Sequence, residues 1–280
     1  MQKTLAIRSA AVLACTVGLW LAYTQQPPAA ALTLEKVKDD LYNISGDGGN
    51  VAVLVSPDAV LLVDDKYERD FANIMEKVKS VSDKPVKYIL NTHHHGDHTG
   101  GNAQFLASAE IVSHKNARAN IVTNKQPGAP RITFTDEASV YLGAREVRAH
   151  YFGRGHTNGD AAIFFPDLKV VHTGDLFPSG APFVDYAGGG SVVEWTQTID
   201  RIMAWDFDTV IPGHGPVAQR ADLLKWRNNL ETMRTRMSDL KKQGKSKEEA
   251  GKALKIDDLG WKPSPLFDRS LGGMYDELSK

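Results

Sequence analysis

Residues 92–101 read Thr92-His93-His94-His95-Gly96-Asp97-His98-Thr99-Gly100-Gly101, which places four of the nine histidines and an aspartate within six positions. The preceding segment, Val86-Lys87-Tyr88-Ile89-Leu90-Asn91, is β-branched and apolar and predicts a buried strand ending at the histidines. A strand end is a rigid mount for ligands. If strand geometry continues, His93 and His95 point to the same side and bind one ion, while His94 points away. Gly96 turns the backbone so that Asp97 and His98 reach a second ion. Imidazole and carboxylate suit zinc, and two neighbouring ions share a water and lower its pKa.

Upstream lie three short β-rich runs, Leu41 to Ser45, Val51 to Val55 and Val60 to Asp64, separated by glycine and Ser-Pro-Asp turns as in a meander. Phe71, Ile74, Met75 and Val78 then recur at helical spacing and predict a helix covering one sheet face. Downstream, short helices are expected near 102–107 and over 115–122. Strands are expected at 111–113, 132–134, 139–142, 146–151, 161–165, 169–172 and 209–211. A helix over 193–203 and a long one over 218–242 follow. A short helix capped by Ser246 and a last one ending at Leu278 complete a C-terminal helical extension from about residue 218. Gly188-Gly189-Gly190 marks residues 178–191 as a mobile loop. Two runs of strands, each with helices, predict an α/β fold layered helix, sheet, sheet, helix.

The 280 residues, 42% hydrophobic and 24% charged, fit one large globular domain over residues 32–280. Lys3 and Arg8 lead into an apolar run from Ala10 to Ala22, and small residues follow through Ala31, so residues 1–31 read as an export signal. The run is short for a membrane span, so no stable membrane association is expected after cleavage. Cys15, the only cysteine, leaves with it, which excludes disulfides and thiolate ligands in a chain starting near Leu32. The location expected is periplasmic. The remaining 31 basic and 34 acidic residues give no reason to expect nucleic acid as a partner. A small-molecule substrate is expected, and the sequence carries no signature of oligomeric state.

Three more fragments end strands with a ligand-capable residue beside glycine: Gly155-His156-Thr157-Asn158-Gly159-Asp160, Thr173-Gly174-Asp175 and Pro212-Gly213-His214-Gly215. With HHHGDHTGG they stand in an order that resembles the metallo-β-lactamase superfamily, a likeness running from about Leu41 to Gly215. The resemblance implies a four-layer αββα sandwich and a hydrolase with two Zn2+ ions. It implies that His93, His95 and His156 hold the first zinc, and Asp97, His98 and His214 the second. Asp175 would bridge them, and Asp97 would also be catalytic, orienting the attacking hydroxide. Of the other histidines, His172 is expected in the core or behind the ligands, and His114 and His150 to be structural or exposed. His94 is expected to line the cleft or pack.

With no cysteine after Cys15, the chain expected to start near Leu32 departs from one subclass of true β-lactamases, and the subclass lacking it uses a ligand of the His98 type. Asp175 in a TGD context resembles the glyoxalase-II-like and lactonase-like members. The wider contexts look like exported β-lactamase-like or quinoprotein-associated metallohydrolases. The reading is therefore a zinc hydrolase of a cyclic amide or ester, with a β-lactam as leading substrate. Lactone or thioester hydrolysis comes second, and a mononuclear iron persulfide dioxygenase is more distant. Metal storage would not need an open site with two carboxylates. Substrate contacts are expected from the Phe177 to Ser191 loop and the Asp65 to Arg69 turn, with Phe183 and Tyr186 as candidates and anchoring of the loop as their alternative role.

Overall fold

The computed structural model describes residues 31–278. The export signal expected over residues 1–31 therefore falls, but for its last residue, outside the described residues. Among the described residues no helix is long and apolar enough to cross a membrane.

The first sheet has seven strands in chain order: β1 (Thr33–Lys38), β2 (Leu41–Ser45), β3 (Val51–Val55), β4 (Val60–Val63), β5 (Val86–Asn91), β6 (Glu110–His114) and β7 (Ile132–Phe134). β1 to β4 pair antiparallel, whereas β4 to β7 pair parallel. Parallel neighbours need crossovers, and helices supply them. These are α1 (Phe71–Lys79), α2 (Gly96–Thr99), α3 (Asn102–Phe105) and α4 (Lys115–Thr123).

The second sheet has six strands in the order β13 (Ala218–Gln219), β12 (Thr209–Pro212), β11 (Val170–Gly174), β10 (Ala162–Phe165), β9 (Arg145–His150) and β8 (Glu137–Leu142). Only β11 and β12 run parallel in it. Its outer helices are α5 (Val192–Ile202), α6 (Arg220–Lys242), α7 (Lys247–Ala253) and α8 (Pro265–Glu277).

Strand alternation sorts the side chains into layers. Leu54, Leu61, Val63 and Leu90 of the first sheet meet Val147, Ile163, Phe165 and Ile211 of the second in a common core. Val53, Leu62 and Ile89 face the other way, against Ile74, Val78 and Phe105 of the first helical layer. Phe164, Val171 and Val210 face Trp195, Leu230 and Met274 of the second helical layer. The molecule is thus the four-layer α/β sandwich expected.

Some boundaries differ from the sequence reading. β1 was not expected: its sequence TLEKVK has no buried residue, and it is held as an edge by pairing with β2. The chain enters the long helix two residues late, because Ala218 and Gln219 first pair with β12. Gln219 and Asp222 then close a capping box over the helix start. The glycine-rich loop is pinned rather than free. Val184 N donates to Ser270 Oγ at 2.9 Å, Asp185 N to the His156 carbonyl at 2.9 Å, and Gly190 N to the Asp185 carbonyl at 2.8 Å.

Candidate metal centre

Parallel pairing aligns strand ends, so chain leaving β4 and β5 emerges at one edge, as does chain leaving β11 and β12. Asp64 follows β4, Thr92 to His95 follow β5, Asp175 follows β11 and His214 closely follows β12. β10 runs antiparallel to β11, so the loop preceding it brings His156 to the same edge.

Two clusters result. In the first, His95 Nδ1 lies 3.2 Å from His93 Nε2 and 2.8 Å from His156 Nε2. In the second, His214 Nε2 lies 3.4 Å from His98 Nε2 and 3.2 Å from Asp97 Oδ2. Asp175 joins them. Its Oδ2 is 3.5 Å from His156 Nε2, and its Oδ1 is 3.3 Å from His98 Nε2 and 3.4 Å from His214 Nε2. All seven residues expected as ligands are therefore brought together.

The donor set fits a metal. Tetrahedral coordination with metal–nitrogen bonds of about 2.0–2.1 Å separates ligand atoms by about 3.3 Å, close to the spacings seen. Asp175 Oδ1 is shut off from solvent and receives no well-directed hydrogen bond, although two imidazoles crowd it. The far nitrogens of His93, His95, His98 and His156 are occupied. His93 Nδ1 donates to Thr92 Oγ1 at 3.0 Å, and that hydroxyl donates to Asp64 Oδ2 at 2.8 Å. His98 Nδ1 donates to the same Asp64 oxygen at 2.7 Å, His156 Nδ1 to the Phe183 carbonyl at 2.6 Å, and His95 Nε2 to Asp185 Oδ2 at 2.9 Å. Each contact fixes one tautomer and turns the other lone pair inward.

Electrostatics divide the clusters. Burial holds His93 well below the usual histidine range, with help from the neighbouring His98 and His95. Burial likewise lowers His156 to about 4, so both are neutral at pH 7. For His214 burial pulls down, but the Asp175 and Asp97 carboxylates outweigh it and raise the pKa to about 9. The same opposition carries His98 well above its ordinary value.

The centre opens into a cleft of about 670 Å³ bordered by Tyr67, Phe183, Leu266 and Arg269. Phe183, an expected substrate contact, lines it and stacks on the His95 ring at 6.0 Å and 21°. Tyr186, the other, does not. Its hydroxyl donates to Glu277 at 3.0 Å and its ring lies over Gly273, where any Cβ would stand 2.1 Å from it. It anchors the loop to α8. His94 is buried beside His95, with Nε2 3.6 Å from Asp185, and packs behind the cleft wall rather than lining it. His172 is buried and bridges the Gly174 N–H and the Asn50 carbonyl, and His114 stacks on Tyr151.

Four participants escaped the sequence reading. Asp64 and Asp185 ride on turns whose partners are distant in sequence, and Leu266 and Arg269 come from the C-terminal helix. None carries a local motif; an aspartate directly after a buried strand is the one signal that could have found Asp64.

Residues 44–214 match the family model described as the metallo-beta-lactamase superfamily. The chain belongs to that superfamily. A metallo-beta-lactamase type 2 of Elizabethkingia meningoseptica is 28% identical over 206 residues, 69% of this chain and 82% of that protein. The 2,4-dinitroanisole O-demethylase subunit alpha of Nocardioides sp. (strain JS1661) is 27% identical over 135 residues, 47% of this chain and 41% of that protein. In fold, a metallo-beta-lactamase from Pontibacter korlensis superposes with a TM-score of 0.65 at 19% identity, covering 71% of this chain and 99% of that one. Superfamily membership together with the histidine–aspartate clusters supports a metal-dependent hydrolase. The α6 to α8 segment lies beyond the matched residues.

Proposed function

We propose that this protein is a binuclear zinc hydrolase that opens a cyclic amide or ester, with a β-lactam as the leading substrate. The observation that carries the reading is Asp175, whose two carboxylate oxygens each face a different cluster. His93, His95 and His156 would hold one zinc, Asp97, His98 and His214 the other, and Asp175 both. Bound zinc supplies an electrophile for the carbonyl oxygen and acidifies the attacking water.

The remaining work belongs to the chain. Asp97, with 23% of its side chain exposed to the cleft, is placed to accept a hydrogen bond from the attacking water and orient it toward the carbonyl carbon. Phe183 and Tyr67 give the scissile group an apolar seat. The named activity of the Elizabethkingia relative supports a β-lactam.

Lactone or thioester hydrolysis is the second reading, favoured by the carboxylate at position 175. A mononuclear iron persulfide dioxygenase would leave Asp97, His98 and His214 without a task.

The test is turnover by the zinc-loaded protein of a chromogenic cephalosporin, an acyl-homoserine lactone and a glutathione thioester, with His93→Ala as control. Cephalosporin hydrolysis lost in the variant supports the first reading. Turnover of only the lactone or thioester moves the assignment to the second.

Export is part of the proposal. Lys3, Arg8 and the apolar run from Ala10 to Ala22 support an N-terminal signal, cleavage near Leu32 and a periplasmic enzyme without a stable membrane anchor. N-terminal sequencing of the protein from a periplasmic fraction should begin near Leu32, and a retained Met1 in the membrane fraction would contradict it.

A further inference from the structure

Three carboxylates, Asp97, Asp175 and Asp185, border the cleft, and all three are engaged by imidazoles or assigned to metal. Against them stands a single side chain of the opposite sign: among the described residues lining the cleft, Arg269 is the only lysine or arginine. It is exposed, and no ion pair of the described residues engages it. Its guanidinium carbon lies 5.6 Å over the Phe183 ring, on a side chain that also stacks with His95. Histidine, phenylalanine and arginine thus form a row of contacts along the cleft.

The backbone that carries Arg269 is held in this place. Its neighbour Ser270 accepts the Val184 N–H at 2.9 Å, and Glu277 of the same helix accepts from Tyr186 Oη at 3.0 Å and Val192 N at 2.9 Å, and from Ser191 Oγ. The His156 to Phe183 carbonyl contact fixes the other end of the row. A guanidinium over an aromatic face has lost little by being there and keeps its fork of N–H donors for a planar anion.

We propose that Arg269 selects substrates bearing a carboxylate about one aromatic ring away from the scissile carbonyl. The proposal rests on the hydrolase reading for the position of that carbonyl. The residue lies in α8, outside the segment matched by the superfamily, so the C-terminal extension supplies the specificity of a centre built by the sandwich. A neutral acyl-homoserine lactone is then the poorest of the three test substrates.

The experiment compares zinc-loaded wild type, Arg269→Ala and Arg269→Lys on a chromogenic cephalosporin and on its carboxyl methyl ester. Loss of one charge-assisted contact raises KM for the free acid about tenfold in Arg269→Ala, with kcat within about twofold and the ester unaffected. Arg269→Lys restores part of the loss, since the charge returns without the fork. Equal effects on acid and ester, or no effect on either, overturn the proposal while leaving the hydrolase reading intact. If wild type turns over neither compound, the β-lactam reading falls. Titration of tryptophan fluorescence with the acid then decides, Trp195 lying 6.1 Å from His156. Binding about tenfold weaker in Arg269→Ala supports the proposal, and equal or absent binding overturns it.

Discussion

Asp64 is fully buried at φ 63, a left-handed conformation costing a non-glycine residue about 1–2 kcal/mol. What offsets that cost is its carboxylate, which accepts from Thr92 N at 2.7 Å, Thr92 Oγ1 at 2.8 Å and His98 Nδ1 at 2.7 Å. One histidine of each cluster, His93 through Thr92 and His98 directly, is thereby oriented from one residue. Asparagine tolerates the same backbone, so Asp64→Asn should fold while losing an acceptor. Zinc affinity should fall about 10- to 100-fold, as read by competition with a chromophoric chelator, and unchanged affinity would remove Asp64 from this role. Gly49 acts by close approach: a Cβ there would stand 2.2 Å from His98 Cε1. Gly49→Ala should therefore displace His98 and reduce the bound metal.

His214 gives a pH dependence to the protein stripped by chelator. Its folded pKa of about 9 exceeds its ordinary 6.5, because Asp175 and Asp97 outweigh burial. A raised histidine stabilises fully below the unfolded pKa, and that contribution is lost as pH rises through the folded one. The thermal midpoint of stripped wild type should thus exceed that of His214→Gln most at pH 6, and the gap should close by about pH 10. A constant gap would contradict the assignment.

At the scale of elements, α8 is a clamp as well as a wall. Glu277 accepts from Tyr186, Ser191 and Val192, so it holds the cleft loop and caps the start of α5 together. Glu277→Ala strands those donors and should cost about 1–3 kcal/mol, measured by urea unfolding with an unchanged slope. The strands bearing the ligands were legible because each is apolar and lies beside a glycine with a histidine or aspartate, whereas the short helix α2 that carries Asp97 and His98 was legible only as a turn at Gly96. β1 was not, since Thr33, Glu35, Lys36 and Lys38 give an edge strand no hydrophobic signature. The last helix was legible as a helix ending at Leu278. That its first turn borders the metal cleft was not, because the docking of α8 depends on contacts far apart in sequence. The choice between the two roles of Tyr186 was not legible for the same reason: a tyrosine in a glycine-rich loop points to a ligand or to a neighbouring helix with equal ease until the helix is placed.

For the molecule as a whole, two sheets and two helical layers exist to bring strand ends together at one edge. Bound metal adds to the stability of a histidine-rich edge of this kind. Zinc at about 100 times its dissociation constant should stabilise the fold by about 2.7 kcal/mol, so chelation should lower the thermal midpoint and re-addition restore it. The direct test of the central claim is a titration of chelator-stripped protein with zinc, following bound metal and hydrolysis of the chromogenic cephalosporin, lactone and thioester panel together. The two-ion hydrolase predicts up to two equivalents bound, with turnover rising as they bind and absent in His93→Ala. Turnover by the stripped protein, or no turnover of any panel member at two bound equivalents, would contradict it.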